Sequence, residues 1–100
     1  MSFFSNLLGS SGPKTDLREL LGNGALLIDV RTKGEFAGGH IKDSKNIPLD
    51  ELDRALPKLD KEQTFILVCA SGMRSARATS IMKQNGFTKC YNGGSWVNFK

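Results

Sequence analysis

Histidine occurs once in this 100-residue chain and cysteine twice, which is too few for a closed zinc site or a disulfide framework. No metal or organic cofactor is therefore expected. The longest apolar runs fall far short of the roughly 20 residues a membrane-spanning helix needs. No stripe of Lys and Arg is interleaved with aromatics, and no nucleic-acid motif is present, so neither a membrane nor DNA or RNA is an expected partner. The opening segment is apolar in patches, but no basic region precedes them and Ser5 and Asn6 interrupt them; it does not read as a secretory signal. With no disulfides to maintain, a reducing cytoplasm is the expected compartment. The net charge of +4 is scattered along the chain and reads as solvated surface with a mild attraction for small anions.

What the chain has is a normal hydrophobic content and a length suited to one core. Residues 1–13 end in Gly9-Ser10-Ser11-Gly12-Pro13 and read as an N-terminal arm or linker, leaving 14–100 as the folded domain. Asp16 and Glu19 form a capping-box pattern ahead of Leu17, Leu20 and Leu21, a helix that Gly22 or Gly24 stops. Ala25 to Val30 is a buried strand interrupted only by Asp29. Thr32 and Glu35 repeat the capping pattern before a short turn carrying Phe36. Asn46-Ile47-Pro48 is extended, and Leu49 to Leu59 has largely helical spacing ended or kinked by Pro57. Thr64 to Val68 is a second buried strand, Ser75 to Gln84 a helix, and Lys89-Cys90-Tyr91 a last short strand before Asn92-Gly93-Gly94. This alternation predicts an α/β fold with a mainly parallel sheet and helices on both faces.

In such sheets ligands bind beyond the C-terminal strand ends, and Cys69 stands there. It opens the loop Cys69-Ala70-Ser71-Gly72-Met73-Arg74 at the start of a helix, where backbone N–H groups from about Ser71 to Ser75 favour a thiolate. An ordinary thiol, with pKa of about 8.5, is only a few per cent ionised at neutral pH, so such a cradle creates a nucleophile without a side-chain base. Gly72 either permits a positive φ or is a plain turn residue. Arg74 is either a solvated cation at the helix start or a hook for a bound sulfonate, the reading preferred here. Ser71 and Ser75 either donate to the sulfur or cap the helix. Arg77 is read as surface, His40 as structural or at the pocket edge, and Cys90 as a small buried hydrophobe rather than a resolving thiol. Phe36 and Trp96 are read as core more readily than as pocket lining.

Leu27-Ile28-Asp29-Val30-Arg31, Glu35-Phe36, Gly39-His40-Ile41, Asn46-Ile47-Pro48, the Cys69 loop and Tyr91-Asn92-Gly93-Gly94 with Trp96 occur in the order and spacing of a rhodanese-like domain, which the chain resembles from about Lys14 onward. The resemblance implies a small, mostly parallel five-stranded sheet. It also implies a single-domain sulfurtransferase working through a Cys69 persulfide, with thiosulfate as a type of donor. Asp29, Arg31 and Glu35 become structural support, with Arg31 pairing Glu35. Trp96 stands closer to the Gly pair than is usual, so the family's C-terminal helix is expected to be shortened or absent. The implied partners are a small anionic sulfur donor, a thiol or cyanide-like acceptor, and potentially a protein in either role. Three alternatives compete: a noncatalytic interaction module, a phosphatase or arsenate reductase, and a thiol redox protein. The last lacks a C-x-x-C pair. Phosphatases of related architecture place five residues between Cys and Arg, whereas here Ala70, Ser71, Gly72 and Met73 alone intervene.

Overall fold

The computed structural model describes residues 15–100, so the arm expected over 1–13 lies outside the described residues. Helix α1, Leu17–Gly22, starts where the Asp16 carboxylate accepts the Glu19 N–H at 3.2 Å. Strand β1 is Leu26–Asp29, and α2, Lys33–Ala37, follows with a complete capping box between Thr32 and Glu35. Strand β2 is only Lys45–Asn46. The helical pattern after it becomes three short pieces: a 3-10 turn at Leu49–Glu51, α3 at Leu52–Ala55, and a second 3-10 turn at Leu56–Lys58 that contains Pro57. Strand β3 is Phe65–Cys69, α4 is Met73–Gln84 and β4 is Cys90–Ser95, followed by a 3-10 turn at Trp96–Phe99.

The strands lie in the order β2-β1-β3-β4, all parallel. The sheet has four strands among the described residues, not five. The sequence itself offers four extended segments there; the fifth entered only with the family resemblance. In parallel strands successive side chains point to opposite faces. Ile28, Leu67 and Cys69 accordingly join Leu52, Leu56, Ala78 and Met82 under α3 and α4, while Leu27, Ile66 and Val68 meet Leu17, Leu20 and Leu21 of α1 on the other face. Helices cover both faces, which is why all five β3 residues are buried and the strand shows no alternation. The chain leaves β1 toward β2 on one side and leaves β3 toward β4 on the other. The C-terminal ends of β1 and β3 therefore form the crevice at which such sheets bind ligands.

Strand β4 is longer than its sequence suggests because it runs through Asn92, Gly93 and Gly94. Leu67 pairs with Asn92 and Val68 with Gly94, so Gly93 is the extra residue of a bulge. A Cβ at Gly93 would sit 2.9 Å from the Ile66 and Val68 side chains and 3.0 Å from the Phe99 ring. The glycine thus lets the closing 3-10 turn lie against the sheet, and that turn stands where a longer C-terminal helix was in question. Gly93→Ala should destabilise the fold by about 1–3 kcal/mol through overpacking against stiff β-branched neighbours. Gly34→Ala, in α2 with open space around it, should be neutral or stabilising. Guanidinium unfolding of the two variants checks both, and equal midpoints would contradict this account of Gly93.

Candidate active site

Strand β3 delivers Cys69 to the sheet edge, and residues 70–72 turn directly into α4. The turn depends on Gly72, whose φ of +107° lies in the left-handed region that favours glycine. A Cβ there would lie 3.5 Å from the Gly94 Cα, so the loop and the bulged end of β4 are in close approach. This conformation aims the Gly72 N–H at the Cys69 sulfur, 2.9 Å away. Cys69 keeps 0% of its surface exposed, whereas Ala70 and Ser71 are exposed. The loop has closed over the sulfur, and any incoming group must displace part of it.

Burial pushes the Cys69 thiol pKa up, but hydrogen bonding from the Ser75 hydroxyl and from the backbone N–H groups of Ser75, Gly72 and Ser71 outweighs it. The net result is a thiol held below its ordinary value. Ser75 is buried and its hydroxyl lies 3.4 Å from the sulfur, while the exposed Ser71 contributes through its backbone. These short contacts, rather than a nearby cation, favour the thiolate. The Arg74 guanidinium is taken by Glu35, through Nη1 to Oε1 at 2.7 Å and Nη2 to Oε2 at 3.0 Å. Its charge and the sulfur's interact only at longer range. Arg74 is in this conformation a strut between α2 and α4 rather than a free anion hook.

That pairing corrects the expected Arg31–Glu35 ion pair. Arg31, 5% exposed, gives Nε and Nη2 to the Asp29 carboxylate at 2.8–3.0 Å, and meets Glu35 only through the backbone carbonyl, 3.3 Å from Nη1. Its Nη2 also reaches the Gly39 carbonyl at 2.7 Å, and its guanidinium lies 4.4 Å from the centre of the Trp96 ring. Trp96 belongs with the α1-side core. Phe36 stacks on the exposed His40 ring, with centroids 3.7 Å apart, and the His40 Nδ1 is 2.8 Å from the Phe36 carbonyl. Arg77 is exposed. Cys90 pairs in register with Phe65, four strand positions from the site of Cys69, or roughly 13 Å at the usual rise per residue. Burial raises its thiol pKa. Two asparagines that entered above only as members of motifs make contacts at the site. Asn46 donates to the Asp29 and Arg31 carbonyls at 2.9 and 3.0 Å, and Asn92 contacts both Ser75 and Gly94. The available signal was an amide side chain inside a strand, where asparagine is disfavoured.

The Arg74 hydrogen bonds, with those from Thr32, hold the Glu35 carboxyl down at about 2 from its ordinary 4.5. A carboxylate with a lower pKa folded than unfolded stabilises the fold above the unfolded value, and that contribution disappears as pH falls through the folded one. Melting temperatures of the native chain and of Glu35→Gln should therefore differ above pH 5 and converge as pH falls from 4.5 toward about 2. A gap independent of pH would show that the pair carries no such linkage.

A profile of the rhodanese-like domain matches residues 13–100. The uncharacterised protein YqhL of Bacillus subtilis is 41% identical over 68 residues, a stretch covering 68% of this chain and 54% of YqhL. The tRNA uridine(34) hydroxylase of Escherichia coli is 34% identical over 74 residues, covering 68% of this chain and 21% of the hydroxylase. This chain thus spans about half of one curated relative and a fifth of the other. Among solved structures, the human single-domain sulfurtransferase TSTD1 superimposes with a TM-score of 0.75 at 30% identity, over 83% of this chain and 88% of TSTD1. A parallel α/β sheet that ends on a cysteine loop cradled by its own amides, and a profile that matches all of the described residues, agree: the protein belongs to the rhodanese-like domain family.

Proposed function

We propose that this chain is a sulfurtransferase that carries sulfane sulfur on Cys69. The Cys69 thiolate attacks the outer sulfur of a small anionic donor such as thiosulfate. The donor's S–S bond breaks, sulfite leaves with the electron pair, and Cys69 becomes a persulfide. A thiolate or cyanide then attacks the terminal sulfur and returns Cys69 to the thiolate. The observation that carries this reading is the Gly72 N–H at 2.9 Å from the sulfur, within a set of donors that lowers the thiol pKa despite burial. Both the thiolate and the persulfide are anions, so one fixed set of dipoles serves both half-reactions and no general base is needed. Ala70, Ser71, Gly72, Met73, Arg74 and Ser75 form the cradle in this scheme, while Asp29, Arg31 and Glu35 hold its backbone still.

The likeness to TSTD1 supports this reading over a phosphatase or arsenate reductase, as does the four-residue spacing between Cys69 and Arg74. A cleft of about 450 Å³, lined among others by Arg77, Asp50 and Asp53, meets the cysteine loop at Arg74. A reducing compartment such as the cytoplasm suits a site that depends on a free thiol.

Incubation with thiosulfate should add the mass of one sulfur atom to the intact protein, and cyanide should remove it. Cys69→Ser should take up none, and initial rates against both substrates should give the parallel reciprocal lines of a ping-pong reaction. No adduct on the native protein, or steady hydrolysis of an aryl phosphate, would overturn the assignment.

A further inference from the structure

The Ser75 hydroxyl has one proton and three neighbours able to receive it. Asn92 Oδ1 is nearest at 2.6 Å, the Gly72 carbonyl is at 3.1 Å, and the Cys69 sulfur is farthest at 3.4 Å. The orientation of the Asn92 amide is fixed by its other partner, because the Gly94 N–H lies 2.9 Å from the same Oδ1 and needs an acceptor there. The oxygen therefore faces Ser75, and Nδ2 falls on the side of the Gly72 carbonyl, at 3.5 Å. With the proton directed to Asn92, the Ser75 oxygen turns a lone pair toward Cys69, and the neutral thiol can donate S–H to it.

We propose that Asn92 is a positioning residue that holds the Ser75 proton away from the Cys69 sulfur while that sulfur is a neutral thiol, and so governs how readily the thiolate forms. When the thiol ionises, its S–H is gone and the Ser75 lone pair faces a negative charge. The hydroxyl then rotates from Asn92 to the sulfur, and Asn92 Oδ1 keeps only the Gly94 N–H. Exchange of one hydrogen bond for another sets the balance. The bulge at Gly93 is what makes the competition possible, since it brings Asn92 and Gly94 together on one side of the loop. Two strands and a helix thus converge on one serine proton.

This inference rests on Cys69 as the nucleophile, but its test needs no turnover. The thiolate fraction is read from ultraviolet absorbance against pH, and from the rate of iodoacetamide alkylation at neutral pH. Asn92→Ala releases the Ser75 proton and should raise the thiolate fraction at neutral pH roughly two- to fivefold, with the pH profile displaced to lower pH. Asn92→Asp keeps both acceptor contacts and adds a negative charge, and should displace the profile the opposite way. In a Ser75→Ala background, Asn92→Ala should leave the profile where Ser75→Ala alone puts it. A merely structural asparagine would move both Asn92 variants in the same direction, and the same shift with Ser75 absent would place the effect outside the serine; either result overturns the proposal. Failure of thiosulfate to load the protein, with these shifts intact, would instead sink the sulfurtransferase reading and leave the role of Asn92 standing.

Discussion

A guanidinium almost wholly removed from water holds the active edge together. Arg31 retains 5% of its exposure, and a charge so placed is tolerated only when it is paired and hydrogen-bonded. It is paired with both oxygens of Asp29, donates to the carbonyls of Glu35 and Gly39, and lies against the face of Trp96. Those partners belong to the end of β1, α2, the turn after it and the closing 3-10 turn. Truncating one partner of such a pair costs about 3–5 kcal/mol because the other is left charged and buried. The pair thus forces four separate stretches of chain into one arrangement, and on that frame the neighbouring loop can hold its amides in place.

Glu35 extends the frame across the crevice. Its backbone receives Arg31 and its carboxylate receives Arg74, so one residue of α2 links the buried ion pair to the first turn of α4. The cation nearest the cysteine loop is thereby spent on geometry. Stabilisation of an anionic sulfur falls instead to dipoles, at hydrogen-bond distance and fixed before any substrate arrives. Backbone dipoles held in this way need no rearrangement as charge develops, which is the condition for efficient electrostatic stabilisation, and only the Ser75 hydroxyl has to turn. The same closeness buries the sulfur completely, so protection of the thiol and access to it are opposed.

Ser75 sits where the two requirements meet. Its backbone amide belongs to the cradle and its hydroxyl is divided among Asn92, the Gly72 carbonyl and the sulfur. A single proton cannot serve all three, and this makes a strand residue outside the loop part of the electrostatics of the cysteine. The bulge in β4 is the common structural cause. It absorbs one glycine, admits the final turn of chain against the sheet, and turns Asn92 toward α4.

Local patterns along the chain specify the elements, their order and the position of Cys69 between a strand and a helix. Apolar runs at 25–30, interrupted only by Asp29, and at 64–68 announced buried parallel strands, the Thr32 and Glu35 pair announced a helix start, and a cysteine between a strand and a helix announced an anion cradle. Each of these is a local signal, written in spacing or in residues a few positions apart. Which acidic group Arg31 would take, whether Arg74 would be free, how far β4 would run past Tyr91, and where the Ser75 proton would point were decided only in the tertiary structure. The residues involved are separated by 39 positions for Glu35 and Arg74 and by 17 for Ser75 and Asn92. A charge or a hydroxyl chooses its partner by distances of a few tenths of an ångström between elements, and no pattern along the chain carries that information.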